Sequence, residues 1–333
     1  MSNEQWARRG TRNPRQKIGW LKAQGSLLKA GNHMTGLTGF IPYILQVLGT
    51  IIIFALVILG MNLSIGFTGM LSVSHIAFFG IGAYVAAISF KLGFGFIEAL
   101  FIGVVITTIL SYILARATVK LKSDYLAVAS LTLIFMVQIV AQNWDLAGGV
   151  FGIKGVNKVK LPGFEISPIT NQLGYVTLML IMLAIVFFLL KKLVNSKLGL
   201  IFKGIRDDET AMRSLGYNTE KFKTLSLIIS SIVAMIAGIL YAHFITVVVP
   251  TLITFNDLLL VLGMLVIGGL GSLEGSIVGT VIFYSLPELL RFVSMPEAIV
   301  GLARYLVLSV ILLIVLYIKP RGLLGKVDIS DAS

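Results

Sequence analysis

Two stretches of this sequence gather the side chains that could do chemistry. The first, Asn62–Phe90, reads NLSIGFTGMLSVSHIAFFGIGAYVAAISF. It sets Asn62, Ser64, Thr68, Ser72, Ser74 and His75 within a run otherwise apolar enough for a bilayer. Polar groups at that depth are costly in lipid and usually face a bundle interior or a cavity. Gly66 and Gly69 can free backbone amides and carbonyls for a solute, and Tyr84 adds a hydroxyl further along. The segment reads as lining part of a translocation path. The structural alternative is that the hydroxyls bond back to helix carbonyls and the glycines permit close packing.

The second stretch, Asn195–Lys223, reads NSKLGLIFKGIRDDETAMRSLGYNTEKFK and is strongly charged between apolar neighbours. Ile201, Ile205, Met212 and Leu215 fall near one face at 3.6 residues per turn, so a short helix is expected. Arg206, Asp207 and Glu209 lie largely off that face. Glu209 precedes Arg213 by one helical turn, the favoured order for an ion pair. Gly216 suits a helix C-cap, and Asn218 suits the N-cap of a following helix with Glu220 in its first turn. Such a helix, lying on a membrane surface, suits contact with another subunit. Periodicity alone equally allows an ordinary solvated loop helix.

Other chemistry is missing. The three histidines, His33, His75 and His243, lack metal-ligand spacing, and there are no cysteines for a disulfide or thiolate site. No phosphate-binding GxxxxGK[ST] loop occurs, and no catalytic constellation or cofactor motif is visible. The apolar segments hold almost no acids, which a proton- or sodium-driven carrier usually buries near midplane. An external energy source, and hence a docking surface for it, is the consequence.

The elements that position these residues follow from composition. Of 333 residues, 57% are hydrophobic and 13% charged. Several runs approach the roughly 20 apolar residues that cross a bilayer as a helix. The fold class is therefore all-α, a polytopic membrane bundle; β-barrel strands are not expected. The net charge of +12 lies in loops and tails, where it orients the chain in the bilayer rather than binding nucleic acid. Apolar segments are expected at Phe40–Gly60, Leu63–Phe90, Phe96–Ala115, Tyr125–Gln142, Leu173–Leu190, Phe222–Val248, Leu252–Gly271, Ser276–Leu290 and Ile299–Ile318. Positive charge places four parts in the cytoplasm: the tail 1–39, the loop with Arg116, Lys120 and Lys122, the segment 195–223, and the tail 319–333. An even number of crossings must then separate the N-terminal tail from Arg116. Leu63–Phe90 is accordingly expected to be re-entrant or discontinuous, buried in protein. The domain 40–318 would hold about eight full crossings plus this broken segment, with nine or ten helices the alternative.

Residues 143–172 are expected outside the membrane, with AGGVFGIKGVNKVKLPGF supplying turns and a surface for an external partner, or a cap over helix ends. Gly271, Gly275 and Gly279 repeat every four residues and suggest a close-packing helix stripe. In the N-terminal tail, Trp6, Trp20 and Leu27–Leu28 could rest on anionic lipid.

Four blocks together resemble the LivM-type permease subunits of branched-chain amino acid ABC transporters, over about Tyr43 to Gly325. They are GFTGMLSVSHIAFFGIGAYVAA at Gly66–Ala87, GGVFGIKGV at Gly148–Val156, LGLIFKGIRDDETAMRSLGYN at Leu198–Asn218, and GGLGSLEGSIVGT from Gly268. Ser74 and Ile76 stand where that family commonly has Gly and Ala. The resemblance implies a transmembrane subunit without enzymatic activity. Its implied partners are a homologous LivH-type permease, two cytoplasmic ATPase subunits and an extracytoplasmic solute-binding protein. It further implies that Ile205, Arg206, Asp207, Asp208, Glu209, Ala211 and Gly216 form the coupling segment seated in an ATPase cleft. The Glu209–Gly216 spacing is one residue longer than in the EAA consensus of many importers. Gly148, Gly149, Gly152 and Gly155 belong to the loop facing the external partner. The expected cargo is leucine, isoleucine and valine, in a cell membrane with both termini inside. The alternatives are urea, amides or other amino acids on the same architecture, and a self-sufficient channel or secondary transporter.

Overall fold

The computed structural model describes residues 40–119, 123–156, 159–161, 164–166 and 171–289, and much of 306–325. The tail 1–39 and the end of the C-terminal tail lie outside the described residues. Residues 40–46 supply the start of the first helix, and the packing below concerns Val47–Ser333.

Among the described residues up to Leu289, ten helices can be followed. They are α1, Phe40–Phe67, ending in a π-helical turn at Leu63–Phe67; α2, His75–Lys91; α3, Phe96–Thr118; and α4, Ser123–Asn143. Then come α5, Gln172–Val194; α6, Lys197–Asp207; α7, Glu209–Ser214; α8, Thr219–Ile245; α9, Phe255–Gly268; and α10, Leu273–Leu289. Six of the helical segments among the described residues are long and apolar enough to cross a membrane, so this is a multi-pass membrane protein. Among the described residues, strands are confined to two small ladders. Ile153–Lys154 (β1) pairs antiparallel with Val247–Val248 (β4), and Val159–Leu161 (β2) with Phe164–Ile166 (β3). The ladders were not expected from the sequence; they are too short to carry an alternating pattern.

Helix α8 is the axis of the packing. A Cβ on Gly82 of α2 would lie 2.1 Å from the Met235 carbonyl oxygen, and one on Gly238 1.9 Å from that of Phe79. Only glycine lets these backbones meet, which is close packing without a hydrophobic driving force. α1 runs against α8, with Gly49 beside Phe244 and Thr68 beside Ser226. α2 runs along it, Phe90 meeting the ring of His243. α3 returns, Phe96 against His243 and Ala115 in a cluster with Leu227.

These directions bear on two expectations. α1 continues past Gly60 to Phe67, so the break falls at Thr68–Ser74, not near Leu63. The segment is not re-entrant: after the break α2 runs back along α8 to the end of the bundle where Gly49 lies. Three runs, α1, α2 and α3, therefore separate Gly49 from Arg116, which lie at opposite ends. The even number was expected between the tail 1–39 and Arg116, and that tail lies outside the described residues. At the break the chain reverses from α1 into α2, and the freed polar groups are buried against α4 and α8, where protein replaces the hydrogen bonds that lipid denies.

α9 and α10 form a hairpin whose turn reaches the end where α6 lies. Gly275 and Gly279 pack on Gly268, but Gly271 is in the turn with φ 73°, so the stripe is shorter than its spacing suggested.

Candidate functional site

The two stretches read from the sequence meet in space. α1 ends in a π-turn, which leaves its last carbonyls without the usual intrahelical donors. Arg206, near the end of α6, supplies one: its Nη1 donates to the Gly66 carbonyl oxygen at 2.9 Å. A cation at a helix C-terminus also complements the helix dipole. Asp207 holds the same guanidinium, accepting from Nε at 2.9 Å and contacting Nη2 at 2.7 Å. Gly69 turns with φ 72°, and a Cβ there would come within 2.9 Å of Arg206 Cγ. The charged segment is thus locked onto the break in the membrane helix. Phe202 and Ile205 bury the other face of α6.

α6 and α7 are separated by a bend, where a single helix was expected through Leu215. Asp208 takes an extended conformation (φ −155°, ψ 99°) and caps α7, its Oδ1 accepting from the Ala211 amide at 2.9 Å. Leu215 therefore leaves the face of Ile205 and is exposed, as are Leu200 and Tyr217. Gly216, with φ 88°, closes α7, and the Tyr217 amide donates back to the Met212 carbonyl at 3.1 Å. Glu209 ties α7 to α8. It accepts from Arg213 Nη2 at 2.8 Å, from Thr219 Oγ1 at 2.9 Å, and from Lys223 Nζ. Partial burial pushes the Glu209 carboxyl up, but the hydrogen bonds from Lys223 and Thr219, the Lys223 charge and the bond from Arg213 outweigh it and hold the pKa below the usual range. Asn218 caps α8 through the Lys221 amide at 3.1 Å.

The polar set of the broken segment is entirely buried. Asn62 is committed to the α9–α10 turn: Nδ2 donates to the Ser272 carbonyl at 2.9 Å and Ser276 Oγ at 2.7 Å, and Oδ1 accepts from the Gly271 amide at 2.9 Å. A Cβ on Gly66 would stand 1.9 Å from that Oδ1, so Gly66 is where the turn is admitted. Thr68 Oγ1 lies 2.6 Å from Ser226 Oγ, and Ser72 Oγ lies 2.9 Å from Ser74 Oγ. Ser64 Oγ lies 3.4 Å from His75 Nε2. The Val73 amide donates to Ser130 Oγ at 2.9 Å. Tyr84 stands apart, lining an apolar cleft of about 440 Å³ between α2, α3 and α4. Reading the sequence missed Ser130, Ser226, Ser272 and Ser276. Ser130 and Ser226 are polar interruptions of apolar runs, which is the signal that could have found them.

At the other end, Gly148, Gly149, Gly152 and Gly155 all have positive φ. A Cβ on Gly152 would sit 2.0 Å from the Val248 carbonyl oxygen, so the loop is folded onto the end of α8 beside the β1–β4 ladder. Val150 and Phe151 project outward, 70% and 82% exposed. Among the described residues no group of acids and histidines could hold a metal.

The chain is a polytopic membrane protein in which the break between two membrane helices is held by a charged segment at one end of the bundle. Residues 43–316 match the profile of the family described as branched-chain amino acid transport system / permease component, and the chain belongs to that family. It is 30% identical over 257 residues to the high-affinity branched-chain amino acid transport system permease protein LivM of Salmonella typhimurium and, equally, of Escherichia coli. Those alignments cover 70% of this chain and 60% of each relative, so the chain spans well under two thirds of their length. The LivH permease of Escherichia coli is 24% identical over 300 residues, covering 83% of this chain and 92% of LivH. No solved structure matches the chain.

Proposed function

We propose that the chain is a transmembrane permease subunit of an ATP-binding cassette importer for branched-chain amino acids. The family match over residues 43–316 carries this reading. The named LivM and LivH relatives support a paired arrangement, with this chain in the LivM position and a LivH-type subunit beside it. Two ATPase subunits would dock on the exposed face of α6 and α7, where Leu200, Leu215 and Tyr217 offer apolar anchors. A solute-binding protein would meet the loop at Val150 and Phe151. The end carrying Arg206 and Arg116 faces the cytoplasm. A cytoplasmic tail 1–39 would then need one more crossing before Gly49.

On this reading the chain performs no catalysis. ATP-driven closure displaces α6 and α7, and Arg206 carries the displacement to Gly66 and Gly69 at the break. The requirement is that the ATPases contact the two states of α6 differently, since binding both equally shifts nothing. The polar set at Ser64, Thr68, Ser72, Ser74 and His75 is closed in the present state; opening it against the partner subunit would expose a polar lining to the solute.

The test is uptake by the reconstituted complex, comparing leucine, isoleucine, valine and urea. ATP-dependent accumulation of the three amino acids and not urea is expected. Uptake by the single chain in liposomes without ATP would overturn the proposal.

A further inference from the structure

A groove of about 430 Å³ opens between the last turns of α3 and the first turns of α8. Its α3 wall continues the membrane-facing surface. Phe101, Val105, Ile109 and Tyr112 are all exposed and recur every three to four residues, an apolar stripe left uncovered among the described residues. Arg116 is the next step along the same stripe, one turn beyond Tyr112, and is also exposed. An aromatic ring followed by a cation is the order expected where a helix leaves hydrocarbon for headgroups.

The opposite wall supplies a second cation. Lys221 lines the groove from the first turn of α8, and neither it nor Arg116 makes an ion pair among the described residues. One acid, Glu220, shares the lining. The two cations leave the rim net positive, and Lys120 and Lys122 follow Arg116 closely in sequence. Deeper in, the walls become apolar, with Ala115 and Val119 on one side and Leu225 and Ile228 on the other. A cationic rim over an apolar slot, open to the bilayer at headgroup height, has the polarity of one kind of molecule.

We propose that this groove binds an anionic phospholipid, its phosphate between Arg116 and Lys221 and an acyl chain along Leu225 and Ile228. A zwitterionic lipid is the weaker fit. Its own ammonium cancels the charge that the rim recognises, and only Glu220 would receive it. The position adds a consequence. The Lys221 amide is held by Asn218, and the same turn of α8 presents Thr219 to Glu209 of the charged segment. A lipid seated on Lys221 therefore braces the junction of α7 and α8.

The experiment needs only the full chain and does not depend on the transport reading. Purified protein is equilibrated with equal mole fractions of phosphatidylglycerol and phosphatidylethanolamine, and retained lipid is counted by native mass spectrometry. Preferential retention of phosphatidylglycerol is expected, with retention falling about fivefold for each cation removed in Arg116→Ala and Lys221→Ala, and further in the double variant. The charge-preserving pair Arg116→Lys and Lys221→Arg should keep most of the preference. Lys154→Ala, which removes an exposed cation in the distant loop, should leave it intact. Equal retention of the two lipids by the wild type would overturn the proposal. So would a double variant that folds with an unchanged thermal midpoint and keeps the preference, or a loss as large in Lys154→Ala. A groove that instead receives a protein subunit would show as the first of these outcomes.

Discussion

Asn62 and Arg206 are the residues whose roles the tertiary structure changes most. Asn62 reads from sequence as a path-lining group, but its donors and acceptor are already taken by Gly271, Ser272 and Ser276. Asn62→Ala should strand several buried backbone groups and cost about 2–4 kcal/mol, read as a lower thermal unfolding midpoint of the purified protein. Asn62→Asp should cost at least as much, because it keeps the acceptor for Gly271 but sets a second oxygen against the Ser272 carbonyl in a buried site. Arg206 reads as a contact for an ATPase, yet its side chain is only 18% exposed and points inward to Gly66. Arg206→Ala should lower transport per ATP hydrolysed by roughly tenfold, the size of a typical coupling energy, while hydrolysis continues. Loss of hydrolysis in parallel with transport would instead place Arg206 at the ATPase surface. Arg206→Lys keeps the charge but loses the fork that engages Gly66 and Asp207 together, so it should fall between the two.

Among the elements, the α6–α7–α8 unit is held by the caps of Asp208 and Asn218 and by the Glu209 carboxylate. Asp208→Ala removes the α7 cap and should destabilise that turn by about 1 kcal/mol, visible as faster amide exchange at Ala211. Glu209 has a lowered pKa in the folded state, so the ionised form is the stabilising one. Its contribution is complete above the pKa of an unfolded glutamate and is lost as pH falls through the lower, folded value. Acidification across that window should therefore loosen the junction between Ser214 and Lys223 in the wild type. In Glu209→Gln the junction should be looser at neutral pH and show less pH dependence, which hydrogen exchange at Thr219 would resolve. A wild-type junction insensitive to acid would remove Glu209 from its central place.

For the whole molecule, the decisive matter is which residues share an end of the bundle. Gly49 and the loop at Phe151 belong to one end, Arg116 and Leu215 to the other. The chain has no cysteine, so single-cysteine labelling is free of background. Phe151→Cys should react with an impermeant reagent in intact cells, and Leu215→Cys only after the membrane is opened. Labelling of both from outside would remove the basis for docking ATPases on α7.

Composition and pattern alone determined that the chain is a helical membrane protein and that Asn195–Lys223 is its charged elbow. Apolar runs of spanning length and clustered charge are local properties, readable without knowing what touches what. The capping roles of Asn218 and Gly216 were equally legible, because a cap is decided by its own few residues. The direction of α2, the bend at Asp208, the inward turn of Arg206 and the commitment of Asn62 were decided only by tertiary structure. Each depends on a partner far away in sequence: Ser226 and Ser130 for the break, Gly66 for Arg206, Ser272 and Ser276 for Asn62. A buried polar side chain takes whichever distant group satisfies it, and no periodicity along one strand of sequence records which group that is.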